Sequence, residues 1–148
     1  MFRGSSFHTI DSKGRVIIPA RFKDVIKSDD REGVMVSRMD HGLFAYTFDE
    51  WNKIEMRILS MAEKSEHMRR FRRVFVGGAH ECQCDKQSRI LLPPPLRQYA
   101  ELEKKIVLVG VLDHFEIWSR ENWDRENMDM ENDMQKEAVR NEIAKLGL

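Results

Sequence analysis

The stretch DSKGRVIIP, residues 11–19, recurs 74 residues later as DKQSRILLP, residues 85–93. Each copy has an aspartate, an arginine four residues further on, three apolar residues and a proline. Outward from these copies, Asp40-His41 matches Asp113-His114 at an offset of 73 residues, and Trp51 matches Trp123 at an offset of 72. The match runs through most of each half, so the chain is an internal duplication.

The first half predicts a β-β-α-β-β-α order of elements. Apolar residues on both sides of the turn-like residues 11–14 indicate two short strands, 7–10 and 15–18, joined as a tight hairpin. Pro19 suits the first turn of a helix that ends before Gly33. Strands are predicted at 34–36 and 43–46, and then a helix with a capping box at Thr47 and Glu50. Its apolar residues at helical spacing are Trp51, Ile54, Ile58 and Met61.

The second half predicts the same plan. A hairpin around residues 85–89 leads into a helix after prolines 93–95, with Leu96, Tyr99 and Leu102 on its apolar face. Strands follow at 106–111 and 115–118, and then a helix capped by Ser119. That helix is predicted to continue toward the C-terminus, with Met130, Met134 and Ala138 buried. Units this short expose too much surface to be stable singly, so the fold class is α+β with both halves interlocked in one core.

Composition and charge narrow the class of protein. The chain has 148 residues, 41% of them hydrophobic, 34% charged, with a net charge of zero. No stretch approaches the roughly 20 apolar residues of a membrane span, and the first residues lack a leader pattern, so a cytoplasmic protein is expected. Residues 1–28 carry six Lys or Arg against two acids, whereas residues 119–148 carry five against eight. A basic face and an acidic end are therefore expected, and a basic face suits a polyanion.

With its two D-x-x-x-R signatures, the sequence closely resembles the MraZ family, bacterial relatives of the AbrB-like transition regulators. The resemblance covers almost the entire chain, with 1–74 as the first SpoVT-AbrB-like repeat and 75–148 as the second. It implies a swapped-hairpin, double-split β-barrel and a ring-like homo-oligomer. It also implies a transcriptional regulator associated with the nucleoid, which binds G-rich direct repeats in the promoter of the division and cell-wall gene cluster.

One position departs from the family pattern. Ser88 stands where a glycine like Gly14 is expected. If that position needs a positive φ, the serine costs about 1 kcal/mol. The second hairpin is then expected to be differently shaped or less important for DNA.

The repeated Asp and Arg flank each predicted turn. Asp11 and Asp85 are interpreted as structural turn residues, with Gly14, because a turn aspartate accepts backbone amides. Arg15 and Arg89 are predicted to contact bases, since a guanidinium matches the O6/N7 edge of guanine. A purely structural ion pair is the alternative for both arginines. The other cations predicted to contact DNA, through phosphates, are Arg3, Lys13, Arg21, Lys23, Lys86 and Arg97.

The basic run at residues 67–73 has two interpretations. Basic residues around an aromatic one suit a direct contact with nucleic acid. However, Met68, Phe71 and Phe75 lie at helical spacing, which favours a packed helix whose arginines face acids.

His80, Cys82 and Cys84 alternate, as metal ligands on one face of a strand would. Cys84 aligns with Ile10 and no fourth ligand is evident, so buried cysteines are the simpler interpretation and no cofactor is predicted. The Asp-His pairs are explained as duplicated turns. No nucleophile stands in a catalytic setting, so neither an enzyme nor a small-molecule substrate is predicted. The remaining alternative is an antitoxin-like protein-interaction module.

Overall fold

The computed structural model describes residues 1–27, 31–61 and 65–148. Both halves follow the β-β-α-β-β-α order, joined by a connecting helix. The first half contains β1 (Ser5–Thr9), β2 (Arg15–Ile17), α1 (Ala20–Ile26), β3 (Gly33–Met39), β4 (Gly42–Tyr46) and α2 (Phe48–Ser60). The connecting helix is α3 (Glu66–Gly77). The second half contains β5 (His80–Gln83), β6 (Arg89–Leu91), α4 (Pro94–Tyr99), β7 (Lys105–Gly110), β8 (Phe115–Ser119), α5 (Arg120–Asp133) and α6 (Glu137–Ala144).

Local chemistry explains where the helices start. Pro19 and Pro93 stand at the N-caps of α1 and α4, where a missing N–H costs nothing. The predicted cap at Thr47 is confirmed, since its hydroxyl accepts the N–H of Glu50 at 3.2 Å. Ser119 likewise accepts the N–H of Asn122 at 3.0 Å. Each cap satisfies one of the unpaired amides of a first helical turn.

The first two strands of each half, β1, β2, β5 and β6, pair with strands of the other half, whereas β3–β4 and β7–β8 are local hairpins. The main sheet is antiparallel with the order β1-β7-β8-β4-β3-β5, and β2 pairs with β6 in a separate two-stranded ribbon. The predicted hairpin pairing of strands 7–10 and 15–18 is therefore wrong, because β1 pairs with β7 and β2 with β6. The reason is burial: Val16 and Ile90 face each other in the ribbon, and both are fully buried in the shared core.

Residues from both halves form one hydrophobic core. At its centre three rings meet: the centroid of Phe22 lies 5.3 Å from that of Phe2 and 5.1 Å from that of Phe115. A second cluster around Trp51 and Phe75 packs α2 and α3 against the sheet. The two halves thus stabilise each other, as short units must.

Three burial predictions fail at the C-terminal end. Met130 and Met134 are 46% and 39% exposed, and Ala138 is exposed too. Residues 134–136 separate α5 from α6, so the predicted continuous helix is two helices. Periodicity indicates an apolar stripe but not what covers it, and these three residues are exposed in the single chain.

Smaller corrections concern the ends of two other helices. Met61 lies beyond the end of α2 and is 45% exposed. Leu102 lies beyond the end of α4, although it packs against the core. In the described ranges, every helix is too short or too polar to cross a membrane.

Candidate nucleic-acid interface

The turn at residues 11–15 is organised by one carboxylate. Asp11 Oδ1 accepts the backbone N–H groups of Lys13 and Arg15, at 3.0 and 2.9 Å. Its other oxygen, Oδ2, accepts Nε–H of Arg15 at 2.6 Å. The aspartate therefore closes the turn and holds the arginine side chain at once.

The turn at residues 85–89 repeats this geometry. Asp85 Oδ1 accepts the N–H groups of Gln87 and Arg89, both at 2.9 Å, and Oδ2 accepts Nε–H of Arg89 at 2.9 Å. Ser88 has a φ of 60°, in the same left-handed region as Gly14 at 89°. The expectation of a differently shaped second turn is therefore wrong, because the serine adopts the backbone conformation that the turn requires.

Both turn carboxylates are held in the charged form. The backbone N–H of Arg15 and its guanidinium lower the pKa of Asp11 to about 2. The same donors, from Arg89, lower the pKa of Asp85. A carboxylate that accepts several N–H groups stays ionised at neutral pH, so each arginine keeps a charged partner.

The ribbon of β2 and β6 fixes the two turns relative to each other. Arg15 lies opposite Leu91 and Arg89 lies opposite Ile17. The carbonyl of Gly14 accepts the N–H of Leu92 at 2.9 Å, and that of Ser88 accepts the N–H of Ile18 at 2.8 Å. Because side chains alternate along a strand, both arginines lie on the outer face of the ribbon, opposite to the buried Val16 and Ile90.

Each guanidinium retains donors for a ligand. The side chains of Arg15 and Arg89 are 31% and 24% exposed. Their bonds to the aspartates use Nε, and the terminal nitrogens make no hydrogen bond to any other residue that the structure describes. The ion pairs therefore orient the two guanidinium groups and leave their terminal N–H donors available.

Four more of the predicted cations are exposed, and two of them, Lys13 and Lys86, lie within the turns. Arg3, Lys13 and Lys86 are exposed. Arg21 is exposed as well, but it donates to the carbonyl of Arg3 and to Ser6 Oγ, both at 3.1 Å.

The other two predicted cations, Lys23 and Arg97, support the turn of the opposite half. The side chain of Lys23 is only 11% exposed, and its Nζ donates to Ser88 Oγ at 3.0 Å. Arg97 donates from Nε to the carbonyl of Leu92 at 3.0 Å and packs against Gly14. Sequence reasoning missed this crossed support, since it depends on the exchange of strands between halves.

Gly14 is predicted to be essential for the shape of its turn. A Cβ at this position would lie 2.8 Å from the guanidinium of Arg97, at a φ of 89°. We expect Gly14→Ala to lower the free energy of unfolding by about 1–3 kcal/mol, measured by urea denaturation. Ser88→Gly is the matched variant. Relief of backbone strain and loss of the Lys23 hydrogen bond should offset each other, so its free energy of unfolding should stay within about 1 kcal/mol of the wild-type value. Equal losses in the two variants would contradict this account.

The basic run at 67–73 belongs to α3. Phe75 is buried, and its ring stacks on that of Phe71 with centroids 5.1 Å apart. Arg70 pairs with Glu66 at 3.2 Å on the same helix. These contacts favour the interpretation of a packed helix over one of a nucleic-acid contact.

The His/Cys cluster has the character of core packing. Cys82 is buried, and burial raises the pKa of its thiol to about 12, far from the thiolate that a metal needs. Cys84 packs against the core. In residues 1–27, 31–61 and 65–148, no three His, Cys, Asp or Glu side chains are grouped to hold a metal ion.

The Asp-His pairs lie in strand-connecting turns. Asp40 and His41, with φ of 54° and 68°, form the two-residue turn between β3 and β4. In the second half, His114 bonds Asp113 and Glu116, each at 2.8 Å. Burial opposes protonation of this ring, but the two carboxylates raise the pKa of His114 above its usual value. These contacts account for the pairs as structural elements.

These features define a duplicated α+β protein whose halves exchange strands and whose two equivalent arginine turns share one ribbon. A family model described as "MraZ protein, putative antitoxin-like" matches residues 1–74 and again 75–142. The chain belongs to the MraZ family.

Relatives named "Transcriptional regulator MraZ" match along most or all of the chain. That from Desulforapulum autotrophicum is 65% identical over 148 residues, with 100% of both chains covered. That from Desulfosudis oleivorans is 53% identical with the same coverage. That from Desulfitobacterium hafniense is 46% identical over 120 residues, 81% of this chain and 82% of the relative.

Proposed function

We propose that this MraZ-type transcriptional regulator binds double-stranded DNA sequence-specifically, at G-rich direct repeats in the promoter of the division and cell-wall gene cluster. The observation that carries the proposal is the pair of turns in which Asp11 and Asp85 orient Arg15 and Arg89 on one outer face. The names of the relatives support regulation of transcription.

The chemistry of the ribbon suits the major groove. A two-stranded ribbon fits within this groove, which is about 12 Å wide. A guanidinium whose Nε is held by a carboxylate can still donate from its terminal nitrogens to O6 and N7 of one guanine. Arg15 and Arg89 are the base-contacting residues in this proposal. Because they are diagonal neighbours in the ribbon, they would address nearby base pairs in one groove.

Phosphate contacts would come mainly from the first half. In the first half Arg3, Lys13 and Arg21 are exposed, with Lys13 in the turn itself, whereas Lys86 alone of the predicted phosphate contacts of the second half is exposed. The partly buried Lys23 and Arg97 would act through the turns that they support. The two halves would therefore contribute similar base contacts but unequal phosphate contacts.

Oligomerisation would supply the remaining affinity. Apolar side chains on α5, directly after it and beyond the end of α6 are exposed in the single chain, which suits contacts between copies. These residues are Met128, Met130, Met134, Leu146 and Leu148. A ring-like homo-oligomer would present several ribbons to repeated sites at high effective concentration.

Further parts of the proposal concern architecture and location. The exchanged strands support a swapped-hairpin, double-split β-barrel built from SpoVT-AbrB-like repeats at 1–74 and 75–148. A cytoplasmic, nucleoid-associated regulator without catalytic activity or cofactor accords with the relatives' names.

The test is fluorescence anisotropy with a duplex of G-rich direct repeats beside a scrambled duplex, across a salt series. We expect at least 10³-fold preference for the repeats at physiological salt. We also expect the preference to shrink when the spacing between repeats is altered by half a helical turn. Equal, steeply salt-dependent binding to both duplexes would overturn sequence-specific recognition.

The family description favours one alternative, an antitoxin-like module that captures a partner protein. Purification from the source cell in stoichiometric complex with a small protein, with no preference for the repeats, would establish that alternative.

A further inference from the structure

The outer face of the β2–β6 ribbon carries two aliphatic side chains between its arginines. Ile17 and Leu91 are each 56% exposed, whereas Val16 and Ile90 beside them are fully buried. The core therefore does not use Ile17 or Leu91.

Both halves keep an aliphatic residue at this position although the turns themselves have diverged. Ile17 and Leu91 are equivalent in the duplication, 74 residues apart, whereas residues 12–14 are SKG and residues 86–88 are KQS. An apolar side chain that stays exposed to water does not contribute its hydrophobic free energy to the folded chain. The duplicated placement points to a ligand with an apolar group close to its anionic or acceptor groups.

The register gives each arginine an aliphatic partner. Arg15 faces Leu91 directly across the ribbon, and Arg89 faces Ile17. Opposed side chains have Cβ atoms about 4.5–5.5 Å apart. An arginine on a guanine edge would therefore bring the aliphatic side chain over a base pair next to that guanine. In the major groove the apolar group displayed by unmodified bases is the C5 methyl of thymine.

We propose that Ile17 and Leu91 contact the C5 methyl groups of thymines adjacent to the guanines bound by Arg89 and Arg15. This inference rests on the proposed DNA binding and adds a specificity element to it. It makes thymine next to guanine part of the preferred sequence, and it assigns that preference to two residues outside the turns.

The test replaces thymine by uracil, one position at a time, in the G-rich repeat duplex. This change removes only the methyl group. Wild-type protein is expected to bind about fourfold more weakly at each contacted thymine, the fold-change that corresponds to one buried methyl. The Ile17→Ala/Leu91→Ala variant should bind thymine and uracil duplexes within twofold of each other. Ile17→Val/Leu91→Val should restore part of the difference.

Controls separate this inference from the proposed function. Leu59→Ala, at a leucine of α2 that is 62% exposed, should retain the full thymine effect. Preference for the repeats without a uracil effect at any position would overturn the inference and leave the proposed function intact. No preference for the repeats would overturn both. A uracil effect that persists in the double alanine variant, or a change of oligomer size in that variant, would assign this face to another role. If that variant fails to fold, the uracil series on wild-type protein still decides.

Discussion

Replacement of both Arg15 and Arg89 by alanine is expected to abolish the preference for G-rich repeats. A bidentate arginine–guanine pair contributes about 1–3 kcal/mol of discrimination. Loss of both should weaken binding to the repeats by about 30-fold to 10⁴-fold. Binding to a scrambled duplex should fall far less, because the phosphate contacts remain. Fluorescence anisotropy with both duplexes, at one salt concentration, measures the effect.

Two further variants identify the cause. Arg15→Lys/Arg89→Lys keeps both charges but removes the planar guanidinium groups. Compared with the double alanine variant, it should regain most of the affinity for the scrambled duplex but not the preference for the repeats. Lys53→Ala/Arg57→Ala removes two exposed charges from α2 and should leave the preference unchanged. A parallel loss of affinity for both duplexes in the Arg15→Ala/Arg89→Ala variant would mean that the turns supply charge alone.

Phe22→Ala is expected to produce the largest loss of stability. The ring is fully buried and contacts Phe2 and Phe115, which belong to different halves. Removal of a buried phenylalanine ring costs about 3–5 kcal/mol. Because the core is shared, both halves should unfold in one transition at lower urea concentration, measured by circular dichroism and tryptophan fluorescence together.

Phe7→Ala is the control for that experiment. Phe7 is 62% exposed and lies under the guanidinium of Arg120, 4.3 Å from the ring centroid. Its loss should change the free energy of unfolding by about 1 kcal/mol or less. Two separate transitions in Phe22→Ala would show that the halves fold independently, contrary to the shared core.

Each turn is supported by a cation from the other half, but the contact differs between the two turns. Gly14 leaves room for the guanidinium of Arg97, whereas Ser88 fills the equivalent place and bonds the ammonium of Lys23. A change in either helix therefore reaches the turn of the other half. The hydrogen bond from Lys23 explains locally why a serine stands at position 88, where a glycine like Gly14 is expected.

Sequence alone determined the duplication, the order of elements and the chemistry of the two turns. These features follow from interactions within a few residues: prolines at helix starts, caps at Thr47 and Ser119, and the spacing of Asp11 and Arg15. These interactions are local, so they can be predicted without knowing which residues distant in sequence come into contact.

Tertiary structure alone decided which strands pair across the halves and which side chains lie inside. A strand of three residues, such as β2, has too few hydrogen bonds to select its partner, and the burial of Val16 against Ile90 makes that selection. The same pairing buries most of Lys23 and leaves Ile17 and Leu91 exposed. Alternation assigns side chains to two faces of a strand, but only the assembled core determines which face is covered.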